Sequence, residues 1–188
     1  MLIEVGSWQM NLLQIISIAL ILVLVIPMLI GFIFGAPFVP TPQGVVDKMI
    51  DLAKLKKGMT VVDPGCGDGR ILITASKRYD IKAIGYELFF VAYLLAKLRN
   101  LVSHGQARIL FQDSRKVNLE NTDVIMCYLL PEPLKKLAPK WETELRKGSK
   151  VISYAFEIEG WKPTHIEAKV PEKNFARILV YEIGKHRL

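Results

Sequence analysis

Residues 61–71, Val61-Val62-Asp63-Pro64-Gly65-Cys66-Gly67-Asp68-Gly69-Arg70-Ile71, restrict the fold of this chain more than any other segment. A β-branched run ends on an aspartate, three alternate glycines follow, and an amphipathic stretch then begins. Alternate glycines let the backbone pass close beneath a ligand, and a helix starting directly after them presents free N–H groups. A strand, a tight glycine turn and a helix, in that order, open a parallel sheet whose strands are joined by helical crossovers.

Hydrophobic periodicity extends that unit along the chain. Strands are expected at 60–63, 82–87, 107–111, 123–128 and 150–155. Helices are expected at 69–79, 89–103 and 133–146, with Pro139 kinking or splitting the last of them. Phe90, Leu94, Leu98 and Leu101 fall on one stripe of the second helix and are expected in the core. Leu134, Leu137, Trp141 and Leu145 point inward in the third. An earlier helix is expected over 44–57, with Val46, Met49, Ile50 and Ala53 on one face and Gly58 as its cap. Beyond 155 the pattern changes: 165–170 and 176–183 are strand-like and joined by Pro171, Glu172, Lys173 and Asn174, a hairpin at the sheet edge. The expected fold is α/β, a mostly parallel seven-stranded sheet with a C-terminal antiparallel hairpin.

A second feature precedes this domain. Residues 12–34 carry no ionisable side chain, only Gln14 and Ser17 interrupt the apolar run, and it supplies much of the mean hydropathy of +0.28. Such a length suffices for one transmembrane helix with some tilt. A signal peptide would begin with basic residues and be shorter, and a core helix would carry a polar stripe. Lys48, Lys54, Lys56 and Lys57 follow the run and no Lys or Arg precedes it. The expectation is therefore a single-pass membrane protein with residues 1–11 outside and the catalytic domain cytoplasmic. No Arg- and Ser-rich leader is evident, which favours a prokaryotic plasma membrane over the mitochondrial inner membrane. Pro37, Pro40 and Pro42 make 35–43 a stiff linker into a domain over 44–188.

The formal net charge is +7, and Glu4 is the only charged residue before position 40. The basic excess is dispersed and no aromatic-interleaved basic motif occurs. A membrane lipid surface or plain solvation accounts for it, and no nucleic acid partner is expected. Cys66 and Cys127 suggest neither a disulfide in a reducing compartment nor a metal site, so no metal is expected.

Glu87 ends the second strand, 20 residues after Gly67, where an acid accepts from both ribose hydroxyls of a nucleoside. The dinucleotide spacing would place glycine at position 70, yet Arg70 stands there and Asp68 would face a pyrophosphate; no phosphate-binding P-loop occurs either. The loop suits a nucleoside without phosphates. Asp63 offers a carboxylate to an ammonium group, and S-adenosylmethionine carries both ends.

Together with Pro37-Phe38-Val39-Pro40-Thr41-Pro42, Gly85-Tyr86-Glu87 and Ser153-Tyr154-Ala155-Phe156-Glu157-Ile158-Glu159-Gly160-Trp161, this loop resembles class I methyltransferases dependent on S-adenosyl-L-methionine. More narrowly, it resembles archaeal protein lysine methyltransferases and the mitochondrial enzymes that methylate lysine in the ATP synthase c-ring protein and the adenine nucleotide translocase. The resemblance covers roughly residues 37–185. It implies a Rossmann-like class I fold, S-adenosyl-L-methionine as cofactor and a protein substrate. By position it implies Asp63, Gly65, Cys66, Gly67 and Gly69 around the methionine part, with Thr41 near its carboxylate, Glu87 on the ribose and Asp113 on the adenine amino group. Tyr128-Leu129-Leu130-Pro131 stands where many methyltransferases keep Asn or Asp before Pro-Pro and an aromatic. That departure speaks against nucleobase and glutamine amide methylation.

A lysine acceptor must arrive neutral, which at pH 7 costs on the order of 4 to 5 kcal/mol for a pKa of about 10.4. Tyr128, Phe156 and Trp161 are the candidates to line a desolvating aromatic channel, with Glu157 or Glu159 orienting the amine. Seven residues from Phe34 to Thr41 reach at most about 25 Å, so the expected acceptor is an integral membrane protein. Two other functions fit the sequence: methylation of a lipid, quinone or other small hydrophobic acceptor, and a non-catalytic membrane-tethered binding module. The intact loop with Glu87 argues against the second.

Overall fold

The computed structural model describes residues 11–33, 39–168 and 176–187, in two units, Met1–Pro37 and Phe38–Leu188. The first unit holds helix α1 (Leu12–Ile33). Its start is capped reciprocally: Asn11 N–H donates to Gln14 Oε1 at 3.0 Å and Gln14 N–H to Asn11 Oδ1 at 2.9 Å, so two otherwise orphaned donors are satisfied. No helix, over the described residues, is long and apolar enough to cross a membrane; in α1 the side chains are described at 12–22 and 25. The transmembrane helix expected over 12–34 is therefore not carried by the described residues: they give a 22-residue helix ending at Ile33, and Phe34 lies outside them.

In the second unit, α2 (Gln43–Ala53) is followed by β1 (Thr60–Asp63), α3 (Arg70–Arg78), β2 (Lys82–Glu87), α4 (Phe90–Val102), β3 (Arg108–Phe111), β4 (Val124–Cys127), α5 (Pro131–Glu144), β5 (Lys150–Tyr154), β6 (His165–Glu167) and β7 (Ile178–Glu182). The sheet runs β3-β2-β1-β4-β5-β7-β6. The first five strands are parallel, and β7 pairs antiparallel with both β5 and β6. The fold is the expected Rossmann-like one with a mixed seven-stranded sheet. The link from β3 to β4 holds a 3-10 turn, Ser114–Lys116, in place of an α-helix.

Successive strand residues face opposite sides, and the two cores follow from that. Val61, Val124, Met126 and Ile152 join α2 and α3 residues in one, while Val62, Ile125, Cys127 and Val151 join Leu134, Leu137 and Trp141 of α5 in the other.

Three details differ from expectation, and a fourth falls outside the described residues. The stripe Phe90, Leu94, Leu98 and Leu101 of α4 is exposed, and the helix buries Ala92 and Ala96 instead. The reason is spacing: a Cβ at Gly69 would lie 3.3 Å from Ala96 Cβ and 3.4 Å from Ile109, so the helix face against the loop has room only for small residues. Helix α5 runs through Pro139 unbroken, with Leu137, Ala138 and Trp141 buried on either side of it. Helix α2 ends at Ala53, not 57, because Lys54 adopts the left-handed conformation (φ 53°) and caps it. The turn of the β6–β7 hairpin lies outside the described residues.

Candidate active site

The chain leaves β1 toward β2 on one side, and the next strand on the other side is β4. Such a reversal of strand order opens a crevice at the carboxyl ends of the strands, where crossovers diverge. The glycine loop after β1, the end of β2, and the residues following β4 and β5 all sit at that end.

Asp63, the last residue of β1, is 2% exposed. Among the described residues its carboxyl accepts one hydrogen bond, from Gly65 N–H at 3.1 Å. Burial pushes its pKa up to about 8 against that bond's pull, and the Glu87 and Asp68 carboxylates add to the rise. Glu87 is held from three sides: Oε2 accepts from Gly67 N–H at 2.7 Å, and Oε1 from Leu88 and Phe89 N–H at 2.8 and 2.7 Å. Gly69 caps α3 with φ +75°, a conformation that a side chain resists. Gly65 lies against the residue after Tyr128, since a Cβ there would approach Leu129 Cδ2 to 2.8 Å. Cys66 is buried, and its Sγ would lie 2.8 Å from a Cβ at Gly85. Its thiol, pushed well up by burial, packs the loop onto β2.

Sequence reasoning missed a charged network behind this loop. Asp68 accepts from Arg70 Nε at 3.0 and 3.1 Å, from Arg70 Nη2 at 2.7 Å and from Arg99 Nη2 of α4 at 2.8 Å. Burial pushes the Asp68 carboxyl up, but the two guanidinium groups outweigh it and hold it below the usual range. Arg70 Nη1 also donates to the Thr41 carbonyl at 2.8 Å. Arg70 thus fastens the segment before α2, where Thr41 is 5% exposed, to the glycine loop. The spacing Asp-x-Arg is visible in the sequence; its partners, 29 residues on one side and 31 on the other of this pair, carry no local signal.

Asp113 caps the 3-10 turn, accepting from Arg115 N–H at 2.9 Å, Nε at 2.9 Å and Nη2 at 2.7 Å. The Arg115 bond holds its carboxyl below the usual range. The carboxylate expected on the adenine amino group is engaged with Arg115.

The aromatic candidates divide. Cys127 of β4 is in register with Ser153 of β5, so the residues that follow meet: Tyr128 lies edge-on to Tyr154 with centroids 4.8 Å apart, and near-parallel to Phe156 at 6.3 Å. Burial raises the Tyr128 phenol, aided by Tyr154. Ala155, between the two β5-end rings, has φ +71°, and Ser153 Oγ donates to the Phe156 carbonyl at 2.7 Å. Trp161 goes elsewhere, into the core against Trp141, Tyr181 and His186 with centroids at 6.4, 5.6 and 4.2 Å. Glu157 pairs with Arg177 at 2.8 Å and Glu159 with Lys135 at 2.9 Å. Tyr154, which the sequence did not single out, is 5% exposed and lies between the core and the Tyr128 ring.

A zwitterionic nucleoside fits this crevice on two observations: the buried Asp63 carboxyl has no cation against it among the described residues, and the glycines keep side chains out of the loop. No group of three or more His, Cys, Asp or Glu side chains suited to a metal occurs among the described residues.

A family profile described as the ANTKMT methyltransferase domain matches residues 63–165. The chain is similar to a protein-lysine N-methyltransferase of Saccharolobus islandicus (strain REY15A), 36% identical over 161 residues, which are 84% of this chain and 99% of that one. It is similar to the adenine nucleotide translocase lysine N-methyltransferase of Mus musculus, 29% identical over 74% of this chain, and spans 62% of that protein. Among solved structures, an RNA methyltransferase from Salinibacter ruber in complex with S-adenosyl-L-homocysteine aligns with TM-score 0.73 and 26% identity, over 80% of this chain and 97% of that one.

Proposed function

The chain belongs to the ANTKMT methyltransferase domain family, and from that premise we propose that it methylates lysine side chains of a membrane protein while anchored beside it. It is an S-adenosylmethionine-dependent methyltransferase. The observation that carries the acceptor reading is the aromatic group Tyr128, Tyr154 and Phe156 at the strand ends next to the glycine loop. The nearly full-length likeness to a protein-lysine N-methyltransferase supports it.

Asp63 would hold the ammonium of the cofactor, Glu87 its ribose hydroxyls, and the backbone of Gly65, Gly67 and Gly69 would lie beneath it; Thr41, held by Arg70, would close the methionine end. The bound cofactor supplies a methyl group on a sulfonium. The chain's own work is positioning and desolvation. Tyr128 and Phe156 present an aromatic surface against which an alkyl amine sheds water, and desolvation lowers the amine pKa so that the neutral nucleophile is populated. Tyr154 backs the Tyr128 ring from the core side, and Trp161 has no part in this wall.

The membrane part of the reading rests on the composition of α1. Leu12, Leu13, Ile16 and Leu20 are exposed on that helix, and a bilayer is a solvent in which they would be stable. Anchoring raises the effective concentration of enzyme at an embedded acceptor. The test is incubation of the full-length protein with labelled cofactor and host membranes, followed by mass spectrometry of the labelled species. Methyl-lysine on an integral membrane protein is the expected result. Label in lipid, quinone or RNA would overturn the acceptor, and equal label in membrane and soluble fractions would overturn the anchoring.

A further inference from the structure

Helix α4 turns its large side chains to solvent. Leu98 is 57% exposed and Leu101 74%, and Phe90, Leu94, Val102 and Phe111 of β3 extend the same apolar surface. Phe90 meets Phe111 edge-on and Tyr93 meets it tilted, each with centroids 5.6 Å apart, so the start of α4 and the end of β3 form one aromatic edge. A continuous apolar surface of this kind marks an interaction site.

Its charges select the partner. Residues 88–112 contain no Asp or Glu, whereas Lys97, Arg99 and Arg108 lie within them and Lys116 follows closely, the neighbouring Arg115 being paired with Asp113. Arg99 is bound to Asp68 and still 46% exposed. A second copy docked on this face by a twofold axis would oppose these cations to one another, which is repulsive. A helix with leucine and phenylalanine outward and Lys and Arg at its flanks suits the boundary between headgroups and acyl chains of an anionic bilayer.

We propose that the exposed face of α4, with Phe111, docks on the surface of an anionic lipid bilayer. This deepens the membrane reading above and rests on it. The aromatic edge lies at the carboxyl end of the sheet, as does the crevice, so docking sets the crevice at the headgroups. The enzyme would then select lysines by their height above the lipid surface.

Spin labelling of the full chain tests it. Cys66 and Cys127 are buried, so nitroxides can be placed selectively at Leu101→Cys and, as a control on α5, at Thr143→Cys. The labelled protein is reconstituted with phosphatidylcholine vesicles with and without phosphatidylglycerol. On the anionic vesicles the label at 101 is expected to lose accessibility to a water-soluble nickel chelate and gain collisions with oxygen, with the label at 143 unchanged. High salt or Leu98→Glu should reverse that loss, while Leu98→Glu keeps its turnover on a soluble lysine peptide. If the protein floats with vesicles but the label at 101 stays open to the chelate, docking is wrong and anchoring stands. Failure to float overturns both. Protection from both reagents, or dipolar broadening between labels, means that protein covers the face and also overturns the proposal.

Discussion

Tyr128 and Phe156 keep part of their ring surface open at the strand ends, whereas Trp141, Trp161 and Tyr181 meet in the core with almost none. Phe156 and Trp161 are five residues apart and come from one aromatic-rich stretch, yet one ring lies half-buried beside Tyr128 and the other is sealed. The backbone makes the difference. Ala155 at φ +71° ends β5 and turns Phe156 toward Tyr128. A tight turn then returns the chain, Trp161 N–H donating to the Ile158 carbonyl at 3.0 Å, and both of those side chains enter the core. Ring type says nothing about burial here; the turn after the strand decides it.

The largest effect should fall on the sealed group. Trp161→Ala removes a core indole and should cost about 3 to 5 kcal/mol of stability, read from urea unfolding, while turnover per folded molecule holds. A loss of turnover without a loss of stability would break the comparison by returning Trp161 to the crevice. Tyr128→Ala should do the reverse: turnover lower by roughly 100-fold, the scale of a mispositioned acceptor, with cofactor Kd and unfolding midpoint little changed.

Asp63 sharpens the contrast through pH. Its carboxyl is raised from the ordinary 3.8 to about 8, so the protonated form favours the folded state. That contribution is complete below the ordinary value, shrinks as pH rises, and is gone above the folded one. The cofactor-free protein should therefore lose up to about 1.4 kcal/mol of stability per pH unit across the window from this group. Binding an ammonium needs the ionised carboxylate, so cofactor affinity should climb up to about tenfold per unit between pH 6 and 7.5, with proton release in calorimetry. Asp63→Asn should flatten both slopes and Trp161→Ala neither. The smallest effect is expected at Arg70→Met, which frees the Thr41 segment and should weaken cofactor binding by about 1 kcal/mol; an unchanged Kd would show that this segment needs no fastening.

The alternation of strands and helices was legible because each element has its own hydrophobic period, and the glycine loop with Glu87 was legible because its parts are local or at a fixed spacing. The face of α4 was not. A leucine stripe at helical spacing shows that a helix has two faces, but not which one meets the sheet, and here the close approach of Ala96 to Gly69 decided it. Pro139 misled in a similar way, because burial of its neighbours holds α5 together. The Asp68, Arg70, Arg99 and Thr41 network joins three elements distant in sequence. That Phe156 meets Tyr128 while Trp161 enters the core was not legible either, because left-handed residues such as Ala155 leave no mark in composition.

The sheet ends on a short strand at either rim. Strand β3 has four residues and begins with exposed Arg108, and β6 has three, with Glu167 clasped by Lys48 of α2 at 3.0 Å. Open strand edges are templates on which further chains can add, and brevity and charge at the rim are what stop such growth. A chain that displays many outward leucines concentrates in two dimensions wherever they are satisfied, and crowding there favours strand addition. Rims this short and charged oppose such addition where molecules gather side by side.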